Sequence, residues 1–417
     1  MRTWTAPELP ELSEILKPAE APKLFNTATG RIENLCVKDN LATLYVCGIT
    51  PYDATHIGHA FTYLTYDMLQ RAWLDAGVEV AYAQNITDVD DPLLERANST
   101  GVNWQELAAE QIALFRSDMH RLNMLPPTHF TAVTEVIEDI AETVLRLEKQ
   151  GIGYRVPTPD ADTDDIYFDI SRAEELSPWR LGDVAHYEQS ELLILSAARG
   201  GDPDRPGKRN QLDPLLWRAA REGEPSWDTV VGKGRPGWHI ECAVIAQQAL
   251  GTPFTVQGGG HDLIFPHHEL SAASAAAVTN TPLAHLYSHT ALVSYQGYKM
   301  SKSRGNLVFV SKLLNSGAEG SAIRLALLGH HYRTEWEWFD RDLETAKQRL
   351  NNWRELLHWK PAEPVESTTV VAQLRAALAN DLDTPLMLAI VDGAVTVGVD
   401  NPELLAKAIE RLLGVSL

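Results

Sequence analysis

Apolar residues follow a strand-like pattern up to Val46 and a helical pattern from Phe61 onward. The apolar run that includes Leu44 is typical of a buried strand, and a turn rich in glycine, threonine and proline follows it. From Phe61 to Ala72 apolar residues recur at spacings of three and four, which predicts a helix. Residues 78–86 then alternate and predict a second strand that ends in an acidic turn. This order predicts a βαβ unit, which binds ligands at the carboxyl ends of its strands.

Helical periodicity dominates two later parts of the chain. We expect helix throughout residues 102–151. The apolar face of that helical part consists of Val133, Ile137, Ile140, Val144 and Leu147. Residues 166–170 and 254–257 predict two short strands. Four helical segments beyond residue 335 predict a terminal bundle.

The composition is that of a globular protein with a strongly acidic balance. The chain has 417 residues, enough for two or three packed domains, and 22% of them are charged. Asp and Glu number 56 against 36 Lys and Arg, which gives a net charge of −20. Because a large nucleic-acid ligand is usually met by a basic face, this balance argues against such a partner. Small anions can still be bound locally by backbone amides and a few lysines.

Cysteine usage and the N-terminus indicate a reducing compartment. Three cysteines are too few for a disulfide framework. No apolar run reaches the length of a membrane span, and the first twenty residues hold several acids and prolines instead of a secretory signal. We therefore expect a cytoplasmic monomer with no membrane and no nucleic-acid partner.

Two histidines stand where the first predicted helix opens, in the sequence His56-Ile57-Gly58-His59. The N-terminus of a helix presents free N–H groups and a positive dipole end, which favour phosphate. Groups fixed there could stabilise the charge that develops on the α-phosphate of ATP when a carboxylate attacks it. The alternative is a pair of surface or helix-capping histidines, because such short motifs recur by chance.

A second motif, Lys299-Met300-Ser301-Lys302-Ser303, follows much later. Two lysines three positions apart in such a loop suit a mobile clamp on pyrophosphate, although alone they are also typical of a solvated basic turn. In this order, the two motifs resemble the HIGH and KMSKS signatures of class I aminoacyl-tRNA synthetase catalytic domains. The resemblance implies an α/β fold with a Rossmann-like nucleotide-binding core. It also implies catalytic roles for His56, His59, Lys299 and Lys302.

Cys47, Cys242 and His267 lie far apart in sequence, but each follows a predicted strand or opens a predicted helix of the same core. Taken alone, they could be two small buried thiols and a hydrogen-bonded core histidine. The segments around them resemble cysteinyl-tRNA synthetase, in which the matching positions hold a Zn²⁺ that binds the substrate thiol. The resemblance implies one zinc per chain. Zinc–thiolate bonding separates cysteine from serine better than packing does. The segments that carry the resemblance are VCGITPYDATHIGHA, EPSWDTVVGKGRPGWHIEC and GGGHDLIFPHHE.

The synthetase pattern continues HHENE, and its last Glu is a zinc ligand, whereas this chain has Ser271 at that position. A neutral hydroxyl is a poor ligand, so we expect three protein ligands and one open position, as in a site that binds substrate. Glu269 or Asp262 could replace the missing ligand, which is the less favoured alternative.

Further features separate the chain from the tRNA ligases. It ends after a short helical bundle, its charge is −20, and the runs at residues 4–7 and 198–203 are not synthetase features. Together with the phrase CGITPYDATHIGH, these features resemble the shorter ATP-dependent ligases that join L-cysteine to the amine of glucosaminyl-inositol in mycothiol biosynthesis. The resemblance implies formation of cysteinyl-AMP and pyrophosphate, with Mg²⁺ balancing phosphate charge, and then attack of the sugar amine. A truncated cysteinyl-tRNA synthetase is the alternative, and a catalytically dead binding module is a third possibility.

The family resemblance also implies which residues bind the adenylate, with Trp238 as a wall of the cysteine pocket. The base that deprotonates the sugar amine stays open among Asp262, His261 and Asp53. The implied adenylate contacts are Cys47, Gly48, Ile49, Thr50, Thr62, Asn85, Ile86, Thr87, Trp238, Gly260, His261, Asp262 and Val293.

The patterns and the resemblance together divide the chain into six parts. We expect an N-terminal arm (1–40), the first half of the catalytic core (41–114), an inserted connective domain (115–205), the second half of the core (206–295), a KMSKS loop and stem-contact region (296–345), and a helical bundle (346–417).

Overall fold

A computed structural model of the protein describes residues 1–12, 19–300, 304–357, 359 and 361–417. Its central sheet has five parallel strands, and all neighbours in it pair in parallel. In spatial order these strands are β11 (Ala284–Thr290), β10 (Phe254–Gly260), β3 (Leu41–Val46), β4 (Glu79–Ile86) and β5 (His129–Ala132). The parallel order brings the carboxyl ends of β3, β4, β10 and β11 to one edge, where the candidate site lies.

The predicted βαβ unit is confirmed. Helix α1 (Ile57–Asp75) connects β3 to β4, and the apolar positions Phe61, Leu64, Met68 and Ala72 are buried. Gly77 follows the helix with a φ of +76°, a conformation that glycine adopts at little cost. The strand over residues 254–257 and the terminal helices are confirmed as well.

The prediction of continuous helix over residues 102–151 was wrong in one place. Strand β5 interrupts it, between α3 (Trp104–Arg121) and α4 (Ile137–Lys149), and forms an edge of the central sheet. Four residues are too few to show alternation, and the strand is defined by its pairing with β4, in which Gln84 lies opposite Phe130. The residues of the predicted amphipathic face are all buried, but Val133 lies in a short turn before α4 and the other four lie on α4 itself.

A second, antiparallel sheet stands apart from the central one. Its strands are β6 (Gly153–Val156), β7 (Asp165–Phe168), β8 (Leu215–Ala219) and β9 (Gly234–Pro236). Helices α5 (Ile170–Leu176) and α6 (Gln189–Ala198) connect β7 to β8. Because β5 belongs to the central sheet and β8 and β9 to the second one, we propose an insertion over about 151–236 in place of 115–205. Sequence periodicity carries no signal for this boundary, since it depends on which strands pair.

The arm of residues 1–40 holds more structure than its sequence predicts. Strands β1 (Lys23–Asn26) and β2 (Arg31–Asn34) form a hairpin that docks on β11, where Thr27 N donates to Tyr287 O at 2.7 Å. Further upstream, Trp4 packs edge-on against Phe115 and donates from Nε1 to Met124 O at 2.8 Å.

A buried cluster of charged side chains links α1 to the C-terminal bundle. Asp67 accepts from Arg71 Nε at 2.8 Å and also pairs with Arg324. Arg71 Nη1 donates to the carbonyls of Glu410 and Arg411, near the end of the last helix. The bundle helices are α11 (Asp340–Leu356), α12 (Ser367–Ala379), α13 (Thr384–Val397) and α14 (Pro402–Leu413).

The remaining elements complete the core and its link to the bundle. No helix in the described parts of the chain is both long and apolar enough to cross a bilayer. These elements are α2 (Asp91–Thr100), α7 (Trp238–Leu250), α8 (Glu269–Thr279), β12 (Val293–Tyr295), β13 (Tyr298–Lys299), α9 (Val310–Asn315), α10 (Gly320–Leu328) and β14 (Trp336–Glu337).

Candidate active site

The turn after β3 is shaped by the strand beside it. A Cβ on Gly48 would stand 1.6 Å from the carbonyl oxygen of Asn85, so only glycine fits there. The Asn85 side chain accepts from Gly48 N at 2.9 Å, and Thr87 N donates to Ile49 O at 3.0 Å. Asn85, Ile86 and Thr87 therefore lie behind the turn and support it, and they do not line the cavity in front of it.

A cavity of about 410 Å³ opens at the carboxyl ends of the strands, in front of this turn. Of the other predicted adenylate contacts, His261 is exposed and lies outside the lining. The predicted residues that do line the cavity are Cys47, Gly48, Ile49, Thr50, His56, His59, Thr62, Trp238, Gly260, Asp262, Val293 and Lys299. No sequence pattern singles out the further lining residues, which are of types common in any core: Tyr52, Tyr63, Leu263, Thr290 and Leu307.

The two histidines of the first motif lie together at the opening of α1. Their rings stack with centroids 3.7 Å apart. His56 Nδ1 accepts from the amides of Gly58 at 3.1 Å and His59 at 3.4 Å, so His56 is a helix cap as well as a cavity residue. Burial lowers the pKa of His59 to about 4, and burial, His59 and Lys299 hold the pKa of His56 well below its ordinary value. Both rings are therefore neutral at pH 7.

The first lysine of the second motif faces these histidines. Lys299 Nζ lies 2.9 Å from Asp262 Oδ2. Burial alone would raise the pKa of Asp262, but the charges of Lys299, then Arg199, hold it below its ordinary value. The carbonyl of Lys299 accepts from Asn306 Nδ2 at 3.2 Å, which fixes the backbone at the start of the motif. The predicted catalytic Lys302 lies outside the described residues.

Cys47, Cys242 and His267 meet at the inner end of the site. Cys47 directly follows β3, Cys242 lies in α7, and His267 lies in the segment before α8. They are the one group of at least three Cys, His, Asp or Glu side chains, among the residues described, whose ligand atoms all lie within 4.8 Å of one another. The two sulfurs are 3.9 Å apart, and His267 Nε2 lies 3.1 Å from Cys242 Sγ. Sulfurs bound at about 2.3 Å to one tetrahedral zinc stand roughly 3.8 Å apart, so the donor set fits this metal.

Burial raises the pKa of the Cys47 thiol well above its ordinary value, so a thiolate here needs a cation beside it. A zinc ion would supply that cation, and the two sulfurs and one imidazole are donors of the kind that zinc binds. All three residues are less than 10% exposed, at 6%, 2% and 1% for Cys47, Cys242 and His267.

Further polar and aromatic side chains, buried or partly buried, contact the three candidate ligands. His239 Nδ1 lies 3.2 Å from Nδ1 of His267, and Trp238 stacks on the same ring at 4.2 Å. His268 Nε2 lies 3.2 Å from Cys47 Sγ, while its Nδ1 lies 2.7 Å from His289. Such contacts orient metal ligands and fix their tautomers. The adjacent His267-His268 pair was visible in sequence, but which partner each ring meets was not.

The alternatives for a fourth ligand are occupied elsewhere. Glu269 accepts from Trp179 Nε1 at 2.9 Å and from the amides of Gly182, Val184 and Ala185. Ser271 donates to the carbonyl of His239 at 3.0 Å. Asp262 pairs with Lys299, as described above. Substitution of the missing ligand by Glu269 or Asp262 finds no support in this geometry, whereas the expectation of three protein ligands agrees with it.

Comparison with known proteins decides the family. The model of the class I (C) tRNA synthetase catalytic domain matches residues 34–348. A protein of Clavibacter michiganensis subsp. michiganensis, named L-cysteine:1D-myo-inositol 2-amino-2-deoxy-alpha-D-glucopyranoside ligase, is 52% identical over 100% of this chain and 99% of that protein. A protein of the same name from Paenarthrobacter aurescens is 50% identical over the full length of both chains. This chain belongs to the family of these ligases.

The fold is also similar to that of solved synthetase structures. The methionyl-tRNA synthetase of Mycobacterium tuberculosis, solved with methionyl-adenylate, superposes with a TM-score of 0.61 at 15% identity, over 90% of this chain and 92% of that one. At this identity the likeness shows the fold alone. The Rossmann-like synthetase core and the family resemblance predicted from the two motifs are both confirmed.

Proposed function

We propose that this protein is a ligase that joins L-cysteine to the amine of glucosaminyl-inositol in mycothiol biosynthesis. The reaction consumes ATP, passes through cysteinyl-AMP, and releases AMP and pyrophosphate. The observation that carries the proposal is one cavity with two chemically different ends. At the inner end Cys47 lines the cavity and is grouped with Cys242 and His267 outside the lining, and at the outer end two histidines and a lysine line it.

The inner end selects the amino acid. Cys47, Cys242 and His267 would hold the zinc, which when bound supplies a soft Lewis acid for the substrate sulfur. Trp238 lines the cavity and stacks on His267, so it closes one side of the cysteine pocket. Because packing alone separates isosteric side chains weakly, we expect discrimination against serine to come from this end.

The outer end activates the carboxylate. The start of α1 presents two neutral imidazoles to the phosphates, because its first backbone amides are already bonded within the protein. Neutral donors of this kind stabilise charge without adding their own. Lys299 would leave Asp262 and bind the phosphates when ATP enters, with Mg²⁺ balancing the remaining charge. Lys302 would act beside it, as the motif implies.

The second step needs an unprotonated sugar amine. Of the three candidate bases, Asp53 and Asp262 line the cavity, whereas His261 lies outside it. Asp53 and Asp262 are therefore the two candidates for the base.

Isotope exchange between ATP and pyrophosphate tests the first step. Purified protein should catalyse the exchange with cysteine and not with serine, and equal exchange with both would contradict selection by metal. Pre-formed adenylate should then be consumed by glucosaminyl-inositol and not by tRNA. Consumption by tRNA would assign the chain to the alternative, a truncated cysteinyl-tRNA synthetase. Absence of any exchange would favour a binding module.

A further inference from the structure

An arginine of the insertion bonds to a turn that borders the candidate active site. Arg199 directly follows α6, and its Nη1 donates to the carbonyl of Asp262 at 2.7 Å and also to the carbonyl of Phe265. These two carbonyls belong to the turn between β10 and α8. The guanidinium thus connects the insertion to the segment that carries Asp262 and His267.

The residues after Arg199 fold the chain back sharply behind it. Gly200 has a φ of +85°, which favours glycine. A Cβ on Gly201 would stand 2.2 Å from Ser196 Oγ, and Gly201 N donates to Ser196 O at 2.8 Å. Asp202 then pairs with Lys208 Nζ at 3.0 Å. The run Arg-Gly-Gly-Asp therefore forms a tight, anchored corner from which Arg199 extends.

The turn to which Arg199 bonds is irregular and carries a candidate site residue at each end. Phe265 has extended dihedrals, φ −137° and ψ 138°, between two helical stretches. Carbonyls at such a break lack regular helical partners and need another donor. Asp262 at the near end holds Lys299, and His267 at the far end lies beside Cys242. Movement of this turn would displace both groups together.

We propose that Arg199 is a positioning residue that holds this turn and thereby aligns the metal end and the nucleotide end of the cavity. The proposal rests on the proposed function for the roles of Asp262 and His267, but the contacts of Arg199 stand without it. It gives the Ala-Arg-Gly-Gly-Asp-Pro run, which set this chain apart from the tRNA ligases, a role in the active site.

Arg199→Met tests the proposal because methionine keeps an unbranched chain and removes both donors. Arg199→Lys is the conservative variant, since an ammonium can still donate to a carbonyl there. The matched control is Arg205→Met. Arg205 is also half-buried in the same segment, but it bonds Thr158 Oγ1 at 3.0 Å and Asp165 Oδ2 at 3.1 Å, within the second sheet. Each full-length variant is compared with the wild type.

Three readouts separate positioning from mere structural support. Zinc affinity is measured by competition with a chelator, the cobalt-loaded protein gives a ligand-field spectrum, and ATP–pyrophosphate exchange gives kcat and KM for cysteine. We expect Arg199→Met to lower zinc affinity about tenfold, because the turn that leads to His267 loses its hydrogen bonds to Arg199. The variant should also alter the cobalt spectrum and lower kcat at least tenfold. Arg199→Lys should recover part of each loss, and Arg205→Met should retain wild-type values.

Unchanged zinc affinity and kcat in Arg199→Met would overturn the proposal. Equal losses in Arg199→Met and Arg205→Met would overturn it too, because they would mean general weakening of the insertion. If Arg199→Met does not fold, the outcome for Arg199→Lys against Arg205→Met decides. If the wild type shows no exchange, the proposed function fails, while the zinc and cobalt measurements still decide the role of Arg199.

Discussion

The two ends of the cavity are built in different ways. At the inner end, three candidate ligands from three elements are almost fully buried and are flanked by further histidines and Trp238. At the outer end, the side chains of Lys299 and Asp262 are 50% and 40% exposed. An exposed ion pair contributes little stability and exchanges partners readily. Under the proposed function, this contrast would correspond to a preformed site for the amino acid and a reversible contact for the nucleotide.

Cys242→Ala should have the largest effect, because it breaks the inner end. The variant leaves one thiol and one imidazole, so zinc affinity should fall at least a hundredfold and cysteine-dependent exchange should disappear. Zinc content after dialysis and exchange activity measure this. Cys36→Ala is the control, since Cys36 is exposed and should be replaceable without loss. Retention of zinc by Cys242→Ala would remove it from the ligand set.

Lys299→Ala should break the outer end and leave the inner end intact. We expect exchange to slow by about a hundredfold, since a cation aimed at the phosphates is lost. Zinc content and the binding of cysteine should not change. Lys302→Ala should behave in the same way. Stopped-flow rates of adenylate formation and calorimetric binding of cysteine separate the two effects, and a parallel loss in both would contradict the division of roles.

The pH dependence of stability sharpens the comparison at the nucleotide end. The pKa of His59 lies near 4 in the folded protein and near 6.5 when the chain is unfolded, so the unfolded state binds the extra proton between these values. The stabilisation is therefore complete above about pH 6.5 and is lost as the pH falls toward 4. Urea denaturation midpoints should decline less over this range in His59→Asn than in the wild type. Identical slopes would show that His59 does not titrate as its burial implies.

Trp4→Ala should have the smallest effect on either end. Removal of a buried Trp should lower the free energy of unfolding by about 3–5 kcal/mol, and Trp4 also loses its hydrogen bond to Met124. Zinc affinity and the KM for cysteine should stay as in the wild type, because Trp4 packs against Phe115 and Met124 and does not line the cavity. Thermal denaturation combined with chelator competition measures both. A large change in zinc affinity would mean that the arm and the inner end are coupled.

The candidate site residues could be predicted from the sequence, whereas the contacts that hold them in place could not. His56, His59 and Lys299 stand in two motifs that resemble the synthetase signatures. Cys47, Cys242 and His267 were indicated by the resemblance of the segments around them to cysteinyl-tRNA synthetase. Arg199 bonds Asp262, 63 positions away, and His268 contacts Cys47, 221 positions away. No local pattern records such contacts. Strand β5 was missed for the same reason, since its pairing with β4 defines it.

The cap on α1 has a consequence for the chemistry of His56. Two backbone amides donate to Nδ1, so that nitrogen must offer its lone pair, and in the neutral ring the proton resides on Nε2. A contact that secures the first turn of a helix therefore also selects the tautomer of this imidazole. Any change that frees the two amides would allow the proton to move from Nε2 to Nδ1 of His56. Nε2 would then offer a phosphate an acceptor instead of a donor, with no change in charge.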